Sequence, residues 1–305
     1  MFKKTRSFHC LIFLVAILLV GCSVNQSSSS PEAIDLSAED RVWIEKFFSD
    51  FFLKEAPIYT LFGSKPMSLI SLCTASREDW VEGYARFLED YSEEEKKELY
   101  IQLEEYLDSY DLPANWEKWI AWSSKHLDRS FIFAKKETEV KDLFSIYILD
   151  VQEAAWVLEK NYSWISRELG IEFDPLRVVL EFGDKNSFFW EKVFESHMVR
   201  GVLHGYGKRN AYFFDRSMEL QEKNDFDLHT HPLFRSALNL KEKDSFPFPR
   251  FRSFSFDVAQ DPVVQKYEVE KTEIQKRLEG KNSTELILHR LGYRSTVEER
   301  KIAFL

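Results

Sequence analysis

Apolar residues recur every three or four positions through most of the chain, which is the spacing of one face of an α-helix. The pattern is clear after Ser37, where Ile44, Phe47 and Phe51 share a stripe. Helices are expected to begin at or just after Ser37, Ser76, Ser92, Pro113, Lys141, Ser187, Pro262 and Asn282. The pattern therefore predicts a mainly α fold.

Two stretches depart from the helical spacing and favour short strands. Residues 58–75 are rich in β-branched and apolar side chains and contain Gly63 and Pro66, which favours a turn or short strand over a helix. Residues 131–134 read FIFA, which has the composition of a strand. We therefore expect a multi-helix globular body with a few short strands.

The chain begins with a basic segment followed by an unbroken apolar run. Lys3, Lys4 and Arg6 precede residues 11–20, whose sequence is LIFLVAILLV. A membrane-spanning helix needs about 20 apolar residues, so a run of this length does not form a stable span. Residues 1–21 instead have the charged and apolar regions of a secretory signal peptide, which is removed from the mature protein.

The apolar run ends in Leu19-Val20-Gly21-Cys22, which resembles the lipobox of bacterial lipoproteins. The resemblance implies cleavage before Cys22 and attachment of two or three acyl chains there, which together anchor a protein stably in a membrane. Residues 22–36 then form a flexible Ser-rich tether in front of the globular body. The expected location is the cell envelope, with the membrane as partner through the lipid on Cys22.

Ser23 bears on which membrane is used. In many Gram-negative bacteria an Asp at this position retains lipoproteins in the inner membrane, so the resemblance favours the outer membrane. The alternative to lipidation is an ordinary secretory signal with a chance cysteine. Ordinary cleavage sites, however, prefer A-x-A-like small residues, which are absent before Cys22.

The mature chain is strongly acidic. Removal of residues 1–21 takes away three basic residues and no acidic one, which leaves a net charge of −13. Such a surface repels the phosphate backbone, so no nucleic-acid partner is expected. The chain also lacks the glycine-rich nucleotide-binding signatures and the H-E-x-x-H motif of zinc proteases. The sequence therefore favours a non-catalytic protein.

Cysteine usage excludes an internal disulfide in the mature protein. Cys10 leaves with the signal peptide and Cys22 carries the lipid, so Cys73 is the single free thiol. Cys73 stands in the apolar sequence SLISLCTA, where a free cysteine packs like a small hydrophobe. We therefore expect Cys73 to be buried and unreactive.

The mature chain is expected to fold around one helical core. That domain spans residues 37–222, and C-terminal helices in residues 262–305 are expected to pack on it. Between them, residues 223–261 form an irregular strap rich in Phe, Pro and His. Its residues 245–256, here called the Phe-rich strap, read SFPFPRFRSFSF. Because few proteins leave five Phe exposed, this segment is expected to seal the core, and the alternative is a docking strip.

Trp116, Trp119 and Trp122 recur at helical spacing in the helix that begins at Pro113. Three such rings could form a shelf that stacks on the sugars of a cell wall. A stripe of this width is also typical of an ordinary core face. Because large aromatic side chains dominate burial, we expect these three tryptophans in the core.

Two pairs of polar residues near the middle of the chain carry candidate chemistry. His197 and His204 are predicted on one helix, where seven residues separate them by about 10.5 Å and exclude a shared metal. Lys208 and Arg209 stand in a glycine-containing turn and are candidates for anion binding. The alternative is a helix C-cap in which both cations complement the helix dipole.

The sharpest candidate site is the alternating sequence Asp225-x-Asp227-x-His229-x-His231. All four residue types bind divalent metals. In an extended strand residues two apart are separated by about 6.6 Å, so one ion touches them all only if the chain curls. His229 and His231 are the expected ligands, with an Asp in support and a further ligand from elsewhere. The alternative is a strand with one wet face and no cofactor.

Three hypotheses for function remain. The leading one is a lipid-anchored envelope protein without catalytic activity that binds an envelope protein or a cell-wall component, or has a structural role. The second is a metal-assisted hydrolase built on residues 225–231, and the third is a carrier of small apolar ligands. Residues 59–66 (YTLFGSKP) and 204–211 (HGYGKRNA) resemble uncharacterised lipoproteins of chlamydia-like bacteria, and that resemblance implies no activity.

Overall fold

A three-stranded antiparallel sheet forms the centre of the fold in the computed structural model. β3 (Leu143–Asp150) pairs with β1 (Met67–Cys73) on one side and with β2 (Phe131–Glu137) on the other. Met67 lies opposite Leu149, and Phe131 lies opposite Asp150. The structure describes residues 34, 36–53, 56–88, 91–109, 111–224, 246–249, 251–255 and 257–293.

Helices make up most of the remaining structure, and 63% of the residues that the structure describes are helical. The α-helices of the described residues are α1 (Ala38–Phe48), α2 (Ile58–Phe62), α3 (Arg77–Phe87), α4 (Glu93–Ser109), α5 (Leu112–His126), α6 (Val151–Lys160), α7 (Tyr162–Leu169), α8 (Pro175–Leu180), α9 (Phe188–Glu195), α10 (His197–Leu203), α11 (Gly207–Asn224), α12 (Pro262–Leu278) and α13 (Ser283–Arg290). A π-helical turn at Ser49–Leu53 and a 3₁₀ turn at Val258–Gln260 complete the set. The predicted class, mainly α with a few short strands, is confirmed.

Local capping explains why many helix starts agree with the sequence pattern. Ser37 Oγ accepts from the Asp40 backbone N–H at 3.0 Å at the start of α1. Ser92 and Glu95 exchange hydrogen bonds as a capping box at the start of α4. These bonds satisfy backbone donors that the helix itself leaves free. In the part of the chain that the structure describes, no helix is long and apolar enough to cross a bilayer.

The prediction of continuous helix from Lys141 to Leu169 was wrong for its first part, which is β3. Tyr147 and Leu149 belong to a buried cluster that includes side chains of the helices from α6 to α10. On the neighbouring strand, Phe133 packs instead against Trp119 at 5.5 Å between ring centroids. A strand covered on both faces has a nearly continuous apolar sequence, which fits helical spacing as well as strand spacing.

The helix predicted from Ser187 to His204 is divided. α9 ends before Ser196, and Ser196 Oγ caps α10 by accepting from the Val199 backbone N–H at 3.1 Å. A serine in a helical run competes for backbone hydrogen bonds and favours a new N-cap. His197 and His204 remain at opposite ends of α10.

An aromatic cluster joins the N-terminal helices to α5. Phe47 stacks on Trp119 at 5.2 Å, and Phe51 stacks on Trp116 at 6.2 Å. Trp119 is fully buried and Trp116 is 2% exposed, while Trp122 is also buried. The prediction that the three tryptophans form a core face is confirmed, so they offer no surface to a sugar ring.

The Phe-rich strap packs on the body of the protein wherever the structure describes it. Phe246 and Phe248 each lie 6.4 Å from the Tyr59 ring, measured between centroids. Phe251 is buried, and Phe254 lies 5.6 Å from the Phe213 ring. Because Phe246, Phe248 and Phe254 are only partly buried, the expectation that this segment seals the core stays a prediction.

Cys73 departs from its predicted environment. It is partly exposed rather than buried. Cys73 is the last residue of β1, an edge strand that pairs only with β3, and its partner there is Leu143. The apolar neighbours in the sequence alternate between the two faces of the strand, so they do not enclose the thiol.

Candidate functional site

An open cleft of about 990 Å³ lies where β3 ends and α6 begins. Its walls include Ser64 after α2, Asp128 after α5, the first turns of α6, and Arg290 at the end of α13. The volume is at the upper end of the range that small-molecule sites occupy. The cleft brings together charged groups from several elements, all within the described residues, and is therefore a candidate binding site.

Asp150 fixes the inner edge of the cleft. It ends β3 and caps α6, where Oδ1 accepts from the backbone N–H groups of Gln152 at 2.9 Å and Glu153 at 3.0 Å. Its other oxygen, Oδ2, accepts from Arg290 Nη2 at 3.0 Å. One buried carboxylate thus joins the sheet, α6 and α13, and positions the side chains that line the cleft.

Arg290 reaches the cleft from the C-terminal part of the described chain. Its Nε donates to the Leu61 carbonyl, and its guanidinium lies 4.9 Å from the centroid of the Phe131 ring. The side chain is still 41% exposed. A guanidinium has five N–H donors, and these contacts with Leu61 and Asp150 use two of them. The remaining donors are available to a ligand in the cleft.

The loop after α5 is held in place by short-range geometry. Asp128 Oδ1 accepts from the Ser130 backbone N–H at 2.8 Å, and the Asp128 N–H donates to the Gly292 carbonyl at 3.2 Å. Gly292 has φ of 75°, and a Cβ at this position would overlap the Asp128 carboxylate. Only glycine allows this close approach, so the wall formed by Asp128 depends on the turn after α13.

Glu153 is a half-buried carboxyl group in the first turn of α6. Desolvation by burial raises its pKa, and the negative charge of Asp150 raises it further. Lys266 and Arg290 oppose the rise. A carboxyl group with a raised pKa stays protonated to a higher pH than an ordinary glutamic acid. It can then donate one hydrogen bond as well as accept.

Trp156 is an exposed aromatic residue among these polar groups. It is 53% exposed and lines the cleft one turn after Gln152. Lys160 Nζ lies 4.4 Å from the centroid of its ring. A tryptophan with half its surface in water is not required for packing, so its place in a polar cleft suits contact with a ligand.

Lys208 and Arg209, the predicted anion-binding pair, each contact a different element. Lys208 Nζ lies 4.9 Å from the centroid of the Trp164 ring, and Arg209 Nη2 donates to the Phe254 carbonyl at 3.4 Å. The helix end expected in the alternative is present, because α10 ends at Leu203 and Gly205 follows with φ of 76°. Lys208 and Arg209, however, lie in the first turn of α11, and anion binding by the pair stays a prediction.

The two predicted histidines have separate environments. His197 Nδ1 lies 2.6 Å from Arg200 Nη2, whereas His204 is buried. The metal segment Asp225, Asp227, His229 and His231 and the lipidation site Cys22 lie outside the described residues. Within the described residues, no group of three or more His, Cys, Asp or Glu side chains is placed to hold a metal ion.

The residues that build the cleft were not identified from the sequence. Gln152, Trp156 and Glu159 share one face of α6, and Trp156 is the only large apolar residue among these three. An aromatic residue on an otherwise polar helical face was therefore a visible signal. The pairing of Asp150 with Arg290 gave no local signal, because 140 residues separate them.

Comparison with known proteins supplies no relative from which a role can be taken. No family model, no curated protein and no solved structure matches the chain.

Proposed function

We propose that this protein is a lipid-anchored lipoprotein of the cell envelope that binds a saccharide of the wall or cell surface without catalysing a reaction. The observation that carries the proposal is Trp156, which is 53% exposed in a cleft whose lining is otherwise polar or charged except for Val151, Ala155 and Leu176. This replaces the buried tryptophans of α5 as the candidate surface for sugar stacking.

A sugar ring combines the two chemistries that the cleft offers. One face of a pyranose consists of C–H groups, which pack on an aromatic plane such as Trp156. Its rim carries hydroxyl groups, which both donate and accept hydrogen bonds. Arg290 supplies donors, Asp128 supplies acceptors, and Gln152 supplies both.

The charge of the cleft favours one class of sugar over another. Three carboxylates line it, from Asp128, Asp150 and Glu159, together with Glu153, whose pKa is raised, against the guanidinium groups of Arg129 and Arg290. A net negative cleft repels uronic acids and sugar phosphates. We therefore expect neutral or amine-bearing sugars.

The anchoring part of the proposal rests on the sequence. Residues 1–21 have the pattern of a signal peptide, and the residues up to Cys22 resemble a lipobox. Labelling of growing cells with radioactive palmitate is expected to mark the wild-type protein and not a Cys22→Ala variant. Label in that variant would contradict the anchor.

Binding is tested by calorimetry on the mature lipoprotein in detergent micelles. Oligomers of N-acetylglucosamine, glucosamine and glucuronic acid serve as neutral, cationic and anionic probes. Trp156→Ala is expected to weaken binding of the first two by about tenfold or more, in line with loss of a central aromatic contact. Phe188→Ala is the control, because Phe188 is also exposed and does not line the cleft.

Two outcomes would contradict the proposal. Equal losses in the two variants, or no binding of any oligomer by the wild type, would remove Trp156 as a sugar contact. Release of new reducing ends from a bound oligomer would contradict the non-catalytic part. The hydrolase hypothesis on residues 225–231 stays a prediction.

A further inference from the structure

Lys65 follows the cleft residue Ser64, yet its side chain lies in the protein interior. It is 2% exposed, and Nζ donates to the Met67 carbonyl at 2.7 Å and to Ser68 Oγ at 3.0 Å. Both acceptors are neutral. Among the described residues, no carboxylate forms an ion pair with this amine. Buried lysines are rare without such a partner, because an isolated ammonium is strongly disfavoured away from water.

The charged groups nearest to Lys65 make an ammonium still less favourable. Desolvation, followed by the positive charge of Lys266, lowers the pKa of Lys65 to about 7. The pKa of the neighbouring His204 is well below its usual range, because of desolvation and then the charges of Lys65 and Arg200. His204 Nδ1 has no hydrogen-bond partner among the described residues. This interior therefore favours the neutral forms of the Lys65 amine and the His204 imidazole.

The described residues of the Phe-rich strap pack on tyrosine rings that lie next to this interior. Lys65 Nζ lies 5.6 Å from the centroid of the Tyr206 ring, and Phe251 of the strap stacks on Tyr206 at 5.3 Å and 18°. Tyr59 Oη donates to the Pro247 carbonyl at 2.9 Å. The described part of the strap has no helix and only an isolated bridge residue, so few backbone bonds must break to displace it.

We propose that residues 246–249 and 251–255 of the Phe-rich strap form a proton-controlled lid, which closes over a neutral Lys65 and lifts when the Nζ lone pair takes up a proton from water. The closed interior offers an ammonium only neutral acceptors, whereas the lifted state offers it water. No other bond changes. The inference does not depend on saccharide binding. In an envelope protein, as proposed above, the lid responds to the pH around the cell.

The pH range in which Lys65 acts is defined by its two pKa values. Opening takes up one proton between the closed-state pKa of about 7 and the ordinary lysine value of 10.5. Over this range the opening constant rises about tenfold for each unit fall in pH. His204 takes up a proton only below its ordinary value of 6.5. Burial raises the pKa of Tyr59, Tyr206 and Tyr267, so opening releases their protons only above 10.0.

Hydrogen–deuterium exchange of the full mature protein tests the lid. Exchange of peptides from residues 246–255 is followed from pH 7 to 10 and divided by the intrinsic exchange rate at each pH. The opening constant of the wild type is expected to fall about a hundredfold from pH 7.5 to 9.5. Lys65→Met, which keeps the length and removes the amine, is expected to abolish this dependence.

Two lysines of α12 serve as controls. Lys266 is partly buried and has a lowered pKa, whereas Lys276 is exposed. Lys266→Met and Lys276→Met are both expected to keep the dependence on pH, which assigns it to Lys65. Loss of the dependence in Lys266→Met, with retention in Lys65→Met, would overturn the proposal.

Two further readouts keep the proposal falsifiable. Peptides of β3 are expected to show no such pH dependence, because the same slope in β3 would mean global unfolding rather than a lid. Nitrogen-15 NMR of the Lys65 amine in the wild type gives its pKa even if the Met variant does not fold. Titration near 10.5, the ordinary lysine value, would overturn the proposal.

Discussion

The two sides of the turn after α2 differ in how their ionisable side chains are accommodated. One side is the open cleft, and the other is the closed interior around Lys65. Ser64 faces the cleft, and its backbone N–H donates to Glu270 Oε2 at 3.2 Å. There, the buried Asp150 carboxylate is paired with Arg290, whose side chain is 41% exposed. Lys65, one residue later, is enclosed with neutral partners. On the open side, the charge of Asp150 is paired with the opposite charge of Arg290. On the closed side, Lys65 loses a proton and carries no charge.

This contrast separates the residues that recognise a ligand from those that set stability. Paired, exposed charged groups such as those at the mouth of the cleft contribute little to the free energy of folding. Ionisable groups that are buried in their neutral form make the stability of the folded protein depend on pH. Mutations on the closed side should therefore affect folding most, and those at the mouth of the cleft should affect it least.

The largest effect is expected from Gly205→Ala on the closed side. Gly205 has φ of 76°, and a Cβ there would overlap the Tyr267 hydroxyl, which donates to the Gly205 carbonyl at 3.1 Å. Overpacking and left-handed strain together are expected to cost about 4 kcal/mol in the free energy of unfolding. Urea denaturation measures this loss.

Gly170→Ala is the matched control for that substitution. Gly170 has φ of 68°, but a Cβ there meets no atom within 4 Å. Strain alone should cost about 1 kcal/mol. Equal losses in the two variants would show that Tyr267 yields easily and that the closed side is loosely packed.

The next effect is expected from Asp150→Ala at the inner edge of the cleft. This change removes two capping bonds of α6 and leaves Arg290 without its carboxylate partner. We expect a loss of about 3 kcal/mol. Asp174→Ala, which removes an exposed cap of α8, is the control and should lose about 1 kcal/mol. Similar losses in both would mean that the Arg290 contact contributes nothing.

How far the sequence predicts the molecule depends on the range of each contact. The caps at Ser37 and Ser92 were predicted, because the bonds that form them span three residues. The strand β3 was missed, because its burial on both faces comes from segments elsewhere in the chain. A central strand has no polar face to reveal its period.

The cleft and the buried amine depend on contacts of still longer range. Ser64 meets Glu270 across 206 positions, and no local pattern relates them. Lys65 stands in a sequence with Gly, Ser and Pro that favours an exposed turn. Its burial follows from elements that close over it, among them Tyr206. Local pattern thus predicted most helices, although it missed α2 and the break at Ser196, and assembly decided the candidate sites.

A smaller effect, confined to acid, is expected from His204. Its pKa lies below the ordinary 6.5, so the folded protein favours the neutral ring. The stability that it contributes is full above pH 6.5 and is lost as pH falls below that value. Between pH 7 and 5 the unfolding free energy should therefore fall by up to about 2 kcal/mol more in the wild type than in His204→Gln.

Urea denaturation at several pH values measures that difference. His289→Gln is the control, since His289 is exposed near the end of α13. Its profile is expected to follow that of the wild type. Parallel profiles for the wild type and His204→Gln would mean that folding does not lower the pKa of His204.

The smallest effect on stability is expected from Trp156→Ala. Because the side chain is 53% exposed and lies at the mouth of the cleft, its removal leaves no cavity, and the free energy of unfolding should change by less than about 0.5 kcal/mol. Loss of sugar binding with unchanged stability would separate recognition from folding, as expected for the open side. A loss above about 1 kcal/mol in the free energy of unfolding would instead make Trp156 a packing residue. The division between an open side that binds a ligand and a closed side that sets stability would then not hold for Trp156.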